Sequence, residues 1–357
     1  MSQPFKFAFG DDEDVEEDDT SEGNESRNVA NADTSPPGPA PCLHTLNDLL
    51  ATLPSKIEYH NLTIPTPNHG DITLARRELF DIRAQLMAED SILDDASATG
   101  LSTDDIKPHI YEGGFKTWEC AVDLAKYLAT KSDYLSRMLT CPFTIVELGA
   151  GTALPSQLIF NFLFPKGRVP EPPRTTMVVT DFNPSVLKLA TIPNLTLNYL
   201  LAGAIGPKES GGDIECLDDL SPDFQAFLRK CNIGIRAISG SWGSDFAAMA
   251  LPDTSDTADD VVILASETIY SPASTRVFTE TLLDLLRRSE KAGGKAVALV
   301  AAKKVYFGVG GSVDDFLTVL RELGGEGKVV WTPEGSGNGV GRCILEVRNR
   351  AEVDVMT

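Results

Sequence analysis

The sequence predicts an α/β protein built on a doubly wound sheet. Three observations lead there. Short β-rich runs recur through the last two-thirds of the chain, helical segments lie between most of them, and the runs are almost continuously apolar, as in parallel strands covered on both faces. At 357 residues, 42% of them hydrophobic, the chain can bury a core of that size.

Residues 1–41 are expected to be a disordered acidic tail, because "DDEDVEEDDTSEGNESRNVANADTSPPGPAP" has too few apolar groups to offset the entropy of ordering. Residues 1–33 hold eleven acids against Lys6 and Arg27, and so carry −9 of the net charge of −21. That balance argues against direct binding of nucleic acid, which needs a basic surface. It suits contact with a basic protein, or simple solvation. "FKFAF" (5–9), with Phe5, Phe7 and Phe9 alternating, reads either as a docking strand or as a partner motif.

Residues 42–104 form an extension expected to pack on the core: a helix-like "LHTLNDLLATL" (43–53), a strand "SKIEYHNLTI" (55–64) and a helical "LARRELFDIRAQLMAED" (74–90). Residues 105–357 form the regular domain. "TWECAVDLAKYLAT" (117–130) has the spacing of an amphipathic helix. Strands follow at 144 ("TIVEL"), 177 ("MVVTD"), 235 ("IRAIS"), 260 ("DVVILAS"), 295 ("KAVALVAA"), 328 ("KVVWT") and 342 ("RCILEV"). Helices are expected at "TALPSQLIFNFLF", "NPSVLKLATI", "TRVFTETLLDLLRRS" and "VDDFLTVLRELG".

Six scattered cysteines without C-x-x-C spacing or nearby histidines argue against a disulfide framework or a metal site. No apolar run approaches the ~20 residues that span a bilayer, so the chain is expected to be soluble and intracellular, and no stretch specifies an oligomer.

In a doubly wound sheet, ligands sit beyond the carboxyl ends of the strands. "VELGAGTALP" places Gly149, Ala150 and Gly151 there. A dinucleotide fingerprint would need Gly or Ala where Leu154 stands, and Glu147 precedes the glycines. E-x-G-x-G followed by Asp181 after the next strand suits a ligand with an amino-acid moiety and a ribose but no phosphate. Asp181 would accept both ribose hydroxyls, and Glu147 would bear on the ammonium or its waters. That ligand is S-adenosyl-L-methionine. Trp242, after Gly240 and Ser241, either stacks on the adenine or closes the core. Glu267 and Tyr270 in "SETIY" follow the fourth strand, where a reacting group belongs, although Ser266 or Glu267 could instead cap a helix.

"IYEGGFKTWECAVDL" (110–124), "VELGAGTALP", "DFN" with "TIPN", "GSW", "ASETIYS" and "AAKKVYFGVGGS", in this order over residues 105–348, resemble the histidine protein methyltransferase family, a eukaryotic branch of the seven-β-strand methyltransferases. The "FKFAF" start followed by acids is also similar to the family's N-terminus. The resemblance implies a seven-stranded Rossmann-like class I methyltransferase sheet with its last strand antiparallel. It implies that Thr117, Trp118, Glu119, Cys120, Ala121, Glu147, Gly149, Ala150, Gly151, Asp181, Phe182, Asn183, Gly240, Ser241, Trp242 and Ser266 surround S-adenosyl-L-methionine. Glu267 and Tyr270 match an E-x-x-Y that related protein methyltransferases place beside the methyl acceptor. The implied acceptor is a histidine of a large-subunit ribosomal protein, and the implied location is cytoplasmic and nuclear.

A histidine with a pKa near ~6.5 is largely neutral at pH 7 and can attack without a strong base, whereas lysine, near ~10.4, must first lose a proton. Glu267, or a backbone carbonyl beside it, is expected to take the acceptor's other ring N–H, with Tyr270 shaping the pocket and Trp118 offering its π-face to the sulfonium. Tyr111, Lys303, Lys304, Tyr306 and Phe307 are assigned to substrate binding, the last four alternatively to a loop closing the sheet edge. His109 reads as a surface or capping residue. Two other functions stay open on sequence alone: a lysine methyltransferase of the sister branch, and a non-enzymatic scaffold that retains the fold.

Overall fold

A computed structural model describes residues 38–66, 70–90, 106–107, 111–164, 171–202, 210–216, 220–253, 259–333 and 341–350. The expectations for "FKFAF", the acidic segment and His109 lie outside them.

In chain order the elements are β1 (Cys42–His44), α1 (Leu46–Leu50), β2 (Lys56–Ile64), β3 (Ile72–Arg77), α2 (Leu79–Asp90), β4 (Ile106–Lys107), β5 (Tyr111–Glu112), α3 (Glu119–Thr130) and α4 (Ser132–Met138). Then follow β6 (Phe143–Leu148), α5 (Leu154–Leu163), β7 (Thr175–Asp181), α6 (Pro184–Val186), a π-helical turn Leu187–Thr191, α7 (Ile192–Leu200), β8 (Gly211–Glu215), α8 (Leu220–Lys230) and β9 (Ile233–Ser239). The last are α9 (Ser244–Ala250), β10 (Asp260–Ser266), α10 (Pro272–Lys291), β11 (Ala296–Lys303), α11 (Val313–Glu322), β12 (Gly325–Trp331) and β13 (Arg342–Asn349).

All seven strands expected in the regular domain form. They lie in the order β9-β7-β6-β10-β11-β13-β12, with β13 antiparallel to both its neighbours and the first five strands of that series parallel. The order reverses between β6 and β10, which sets their carboxyl ends as the ligand-binding edge. β6 is buried at all six positions, as a strand between two helical layers must be. One apolar layer packs α3, α5 and α7 on one face, and another packs α9, α10 and α11 on the other.

Three features depart from expectation. The start of the "LHTLNDLLATL" run is not helix: Cys42–His44 add an eighth, antiparallel strand beside β9, and helix begins only after Thr45, whose hydroxyl accepts from Asp48 N. The first part of "LARRELFDIRAQLMAED" is strand β3, paired with β2 from Tyr59↔Arg77 to Ile64↔Ile72. The third is β8, two glycines and three further residues that the periodicity did not mark, which completes this small sheet on the other side of β2.

The extension is joined to the core through buried polar groups rather than apolar contact alone. Asn194 Oδ1 accepts from Arg77 N at 2.7 Å while its Nδ2 donates to Thr152 O. Asn198 bonds both backbone groups of Ala75. Asn194→Ala is therefore expected to leave a buried N–H unpaired and to lower unfolding free energy by about 2–3 kcal/mol, measurable in urea; an unchanged midpoint would show that β3 is not anchored there. Residues 38–357 form one compact unit. Among the described residues no helix is long and apolar enough to cross a membrane.

Candidate active site

β6 ends at Leu148, and the chain then turns through Gly149 (φ +63°) and Gly151 (φ +53°), with Ala153 (φ +56°) at the N-cap of α5. Leu154 and Pro155 occupy the first turn of that helix, where Pro's missing N–H costs nothing. Asp181, at the end of β7, holds the turn: its Oδ2 accepts from Gly151 N at 3.0 Å and its Oδ1 from Asn183 N at 3.1 Å. Thr191, in the π-helical turn, donates to Gly151 O at 2.7 Å. The "TIPN" motif thus acts here, with Thr191 gripping the glycine turn and Asn194 gripping Thr152.

A second glycine pair closes over the first. A Cβ on Gly151 would lie 3.1 Å from Gly114 O, and one on Gly114 would lie 2.6 Å from Val186, so the two turns meet backbone to backbone. Trp118 donates its indole N–H to Gly113 O at 3.1 Å, and Thr117 and Thr152 share a 2.9 Å hydroxyl contact. The start of α3, with Glu119, Cys120 and Ala121, is thereby fixed against the glycine turn. On the far side Gly240 N donates to Asp181 O and Phe182 O, and Ser241 N donates to Pro39 O at 2.9 Å. The segment ahead of β1 therefore runs over the end of β9, a contact the sequence did not suggest.

Glu147 is 1% exposed. Its Oε2 accepts from Ser156 N at 3.0 Å, and its Oε1 finds no hydrogen-bond partner among the described residues. Burial, opposed by Ser156 and reinforced by the Asp181 charge, pushes its carboxyl up to about 7. An unfolded Glu ionises near ~4.3, so between that value and about 7 the folded chain holds a proton that the unfolded chain has lost. Stability therefore falls with rising pH across this window, by roughly 3–4 kcal/mol, and is flat above it. In Glu147→Gln that slope should vanish without added cofactor; urea midpoints at pH 5 and 7.5 check it, and an unaltered slope would reject the assignment.

The other end of the site is built on β10 and β11. Glu267, one residue beyond β10, adopts φ +56°, a conformation that costs a non-glycine residue about 1–3 kcal/mol. It is held there by its N–H donating to Ala301 O at 2.9 Å. Its side chain is 8% exposed. Lys303 Nζ lies 3.6 Å from its Oε1 and 3.2 Å from Glu119 Oε2, and also 5.3 Å over the Trp118 ring. Burial first, and the Glu267 charge after it, raises both the Cys120 thiol and the Tyr306 hydroxyl well above their ordinary ranges. Burial alone would lower Lys303, but Glu267 and Glu119 outweigh it and hold the ammonium charged. Tyr306 receives the Lys303 N–H at 3.2 Å and packs edge-on to Tyr270, centroids 6.5 Å apart.

Most of the expected residues line this carboxyl edge. Ser266 and Glu267 cap no helix, since Ser271 holds the N-cap position of α10. Trp242 is half-buried and packs on Phe278 of the core at 5.1 Å. Lys304 and Phe307 project outward from the loop after β11, Phe307 at 78% exposure. Tyr111 lies in β5. No motif marks the Lys303 bridge or Thr268, whose buried hydroxyl is unpartnered among the described residues. The polar Gln157, Asn194 and Asn198 in otherwise apolar helices could have flagged the clamp beneath the glycine turn.

A glycine turn held by a strand-end carboxylate, an acidic residue ahead of it, and a 3-2-1-4-5-7-6 sheet define a class I S-adenosylmethionine-dependent methyltransferase. The chain is 34% identical over 304 residues to histidine protein methyltransferase 1 of Schizosaccharomyces pombe, covering 84% of this chain and 83% of that protein. It is 35% identical over 270 residues to the Saccharomyces cerevisiae protein of the same name, covering 70% and 69%. It belongs to the histidine protein methyltransferase family. No family profile matches it. Among solved structures, magnesium protoporphyrin IX methyltransferase from Synechocystis with bound cofactor covers 66% of this chain and 86% of its own, at TM-score 0.32 and 10% identity, and the fold assignment stands on the strand order instead.

Proposed function

We propose that this protein-histidine methyltransferase modifies a histidine of a large-subunit ribosomal protein, in the cytoplasm and nucleus. The observation that carries the acceptor assignment is Glu267 Oε1, a buried carboxylate oxygen with no hydrogen bond among the described residues, at the strand end where the chain order reverses. Buried acceptors are rarely left unpaired, and an imidazole N–H would fill this one. The acidic balance of −21 complements a basic ribosomal substrate.

The residues present fit S-adenosylmethionine. Gly149 and Gly151 would let backbone approach it, Asp181 would accept from the ribose hydroxyls, the unpartnered Glu147 Oε1 would receive the ammonium, and Phe182, Asn183, Gly240 and Ser241 would hold the base. When bound, the cofactor supplies a methyl group on a sulfonium. Glu267 orients the acceptor imidazole by receiving one ring N–H, so that the other nitrogen, carrying its lone pair, points inward. As the ring becomes cationic on methylation, the same carboxylate stabilises it and then passes the proton on to solvent. Tyr270 and Tyr306 wall the pocket and limit water, and Lys304 and Phe307 contact the substrate outside it. The test is incubation with methyl-labelled S-adenosylmethionine and large-subunit ribosomal proteins from cells lacking the endogenous activity. Methylhistidine in one of those proteins is the expected product; label confined to other proteins would remove the ribosomal assignment.

A further inference from the structure

Lys303 has no part in the mechanism above, yet its ammonium is paired with the acceptor oxygen. It reaches Glu267 Oε1 at 3.6 Å and Glu119 Oε2 at 3.2 Å, and lies over Trp118 at 5.3 Å. Resting on the reading of Glu267 as the acceptor-orienting carboxylate, we propose that Lys303 makes this site selective for a neutral imidazole by excluding a lysine ammonium.

The charges around the pocket support this. Glu267 is the buried anion and Lys303 its cation. Glu119, the second anion, is 59% exposed at its side chain and bonds the same ammonium. Asp123 is taken by Arg342 at 2.5 Å. Cys120 and Tyr306, whose protons are held on by burial, add no charge. Glu267 therefore already has a cation beside it, shared with Glu119, when a substrate arrives.

A neutral imidazole needs only the remaining lone pair of Oε1 and meets no opposing charge. A lysine side chain arrives as an ammonium, meets the Lys303 ammonium before any bond forms, and holds its proton, near ~10.4 in water, too tightly to pass it to a carboxylate that already has a cation beside it. Without that proton loss its nitrogen has no lone pair to form the new N–CH3 bond. The cation near the acceptor oxygen thus acts as a repulsive element against the wrong substrate, the usual route to specificity when attraction alone cannot discriminate. Removing it leaves Glu267 as an uncompensated buried anion, for which a substrate ammonium becomes the natural partner.

Lys303→Met and Lys303→Arg are compared with the unaltered protein on a total protein extract from cells lacking the endogenous enzyme, with methyl-labelled S-adenosylmethionine and amino-acid analysis of the product. Thermal melts and S-adenosylhomocysteine titration establish that each variant is folded and binds. The unaltered protein and Lys303→Arg should label histidine and keep their methylhistidine to methyllysine ratios within threefold of each other. In Lys303→Met that ratio should fall at least tenfold as methyllysine appears. A folded Lys303→Met that labels histidine at the unaltered ratio, or that labels neither residue, would overturn the selectivity role, because a merely structural ion pair alters the amount of product and not its identity. Absence of methylhistidine from the unaltered protein would instead overturn the function on which this inference rests.

Discussion

Glu267→Gln is expected to lower turnover on a histidine-containing protein by roughly 10²–10³-fold, while leaving cofactor affinity within about threefold. The replacement keeps an acceptor oxygen at the end of β10 and removes the charge that steadies the imidazolium as it forms. The lost stabilisation corresponds to about 3–4 kcal/mol of barrier, in keeping with a side chain 8% exposed, where little water screens its charge. Cofactor affinity should change little because the glycine turn and Asp181 sit on β6 and β7. Single-turnover kinetics with saturating substrate measure the effect, and an unchanged rate would take Glu267 out of the chemistry.

Gly151→Val should act on binding instead. At φ +53° a β-branched residue is strained by about 1–3 kcal/mol, and its Cβ would press to 3.1 Å from Gly114 O. The turn must shift, and with it the N–H that Asp181 accepts. Isothermal titration with S-adenosylmethionine should show affinity reduced at least a hundredfold, equivalent to about 2.7 kcal/mol. Asp181→Asn should weaken binding by roughly tenfold, since the amide keeps one acceptor and loses the charge that strengthens hydrogen bonds from the ribose. Affinity preserved in both variants would show that the ligand lies elsewhere.

Much of this was legible in the sequence, for physical reasons. The seven strands of the regular domain stood out because strands buried on both faces read as continuous apolar runs, and β6 has no exposed position. The glycine turn was legible because left-handed backbone selects glycine. β3 was misread because no breaker separates Arg77 from α2, so a strand and a helix ran together as one pattern. β8 carries two glycines in five residues and takes its shape from pairing with β2, which no local propensity encodes. The Lys303 bridge joins side chains from α3, β11 and the end of β10, and only the sheet order brings them together.

β1 has a consequence for how the chain is made. His44 meets Ser239 across 195 residues of sequence, so the first part of the compact unit to leave a ribosome is among the last to find its partner. Contacts of such separation form slowly. Until residue 239 emerges, β7 lacks its neighbour β9 and presents an open edge, the kind of surface that joins chains to one another. A transcript cut short before that point should therefore yield a product that clumps or is degraded, and synthesis of this enzyme is expected to lean on chaperones that shield nascent strands until β9 and then β1 fall into place.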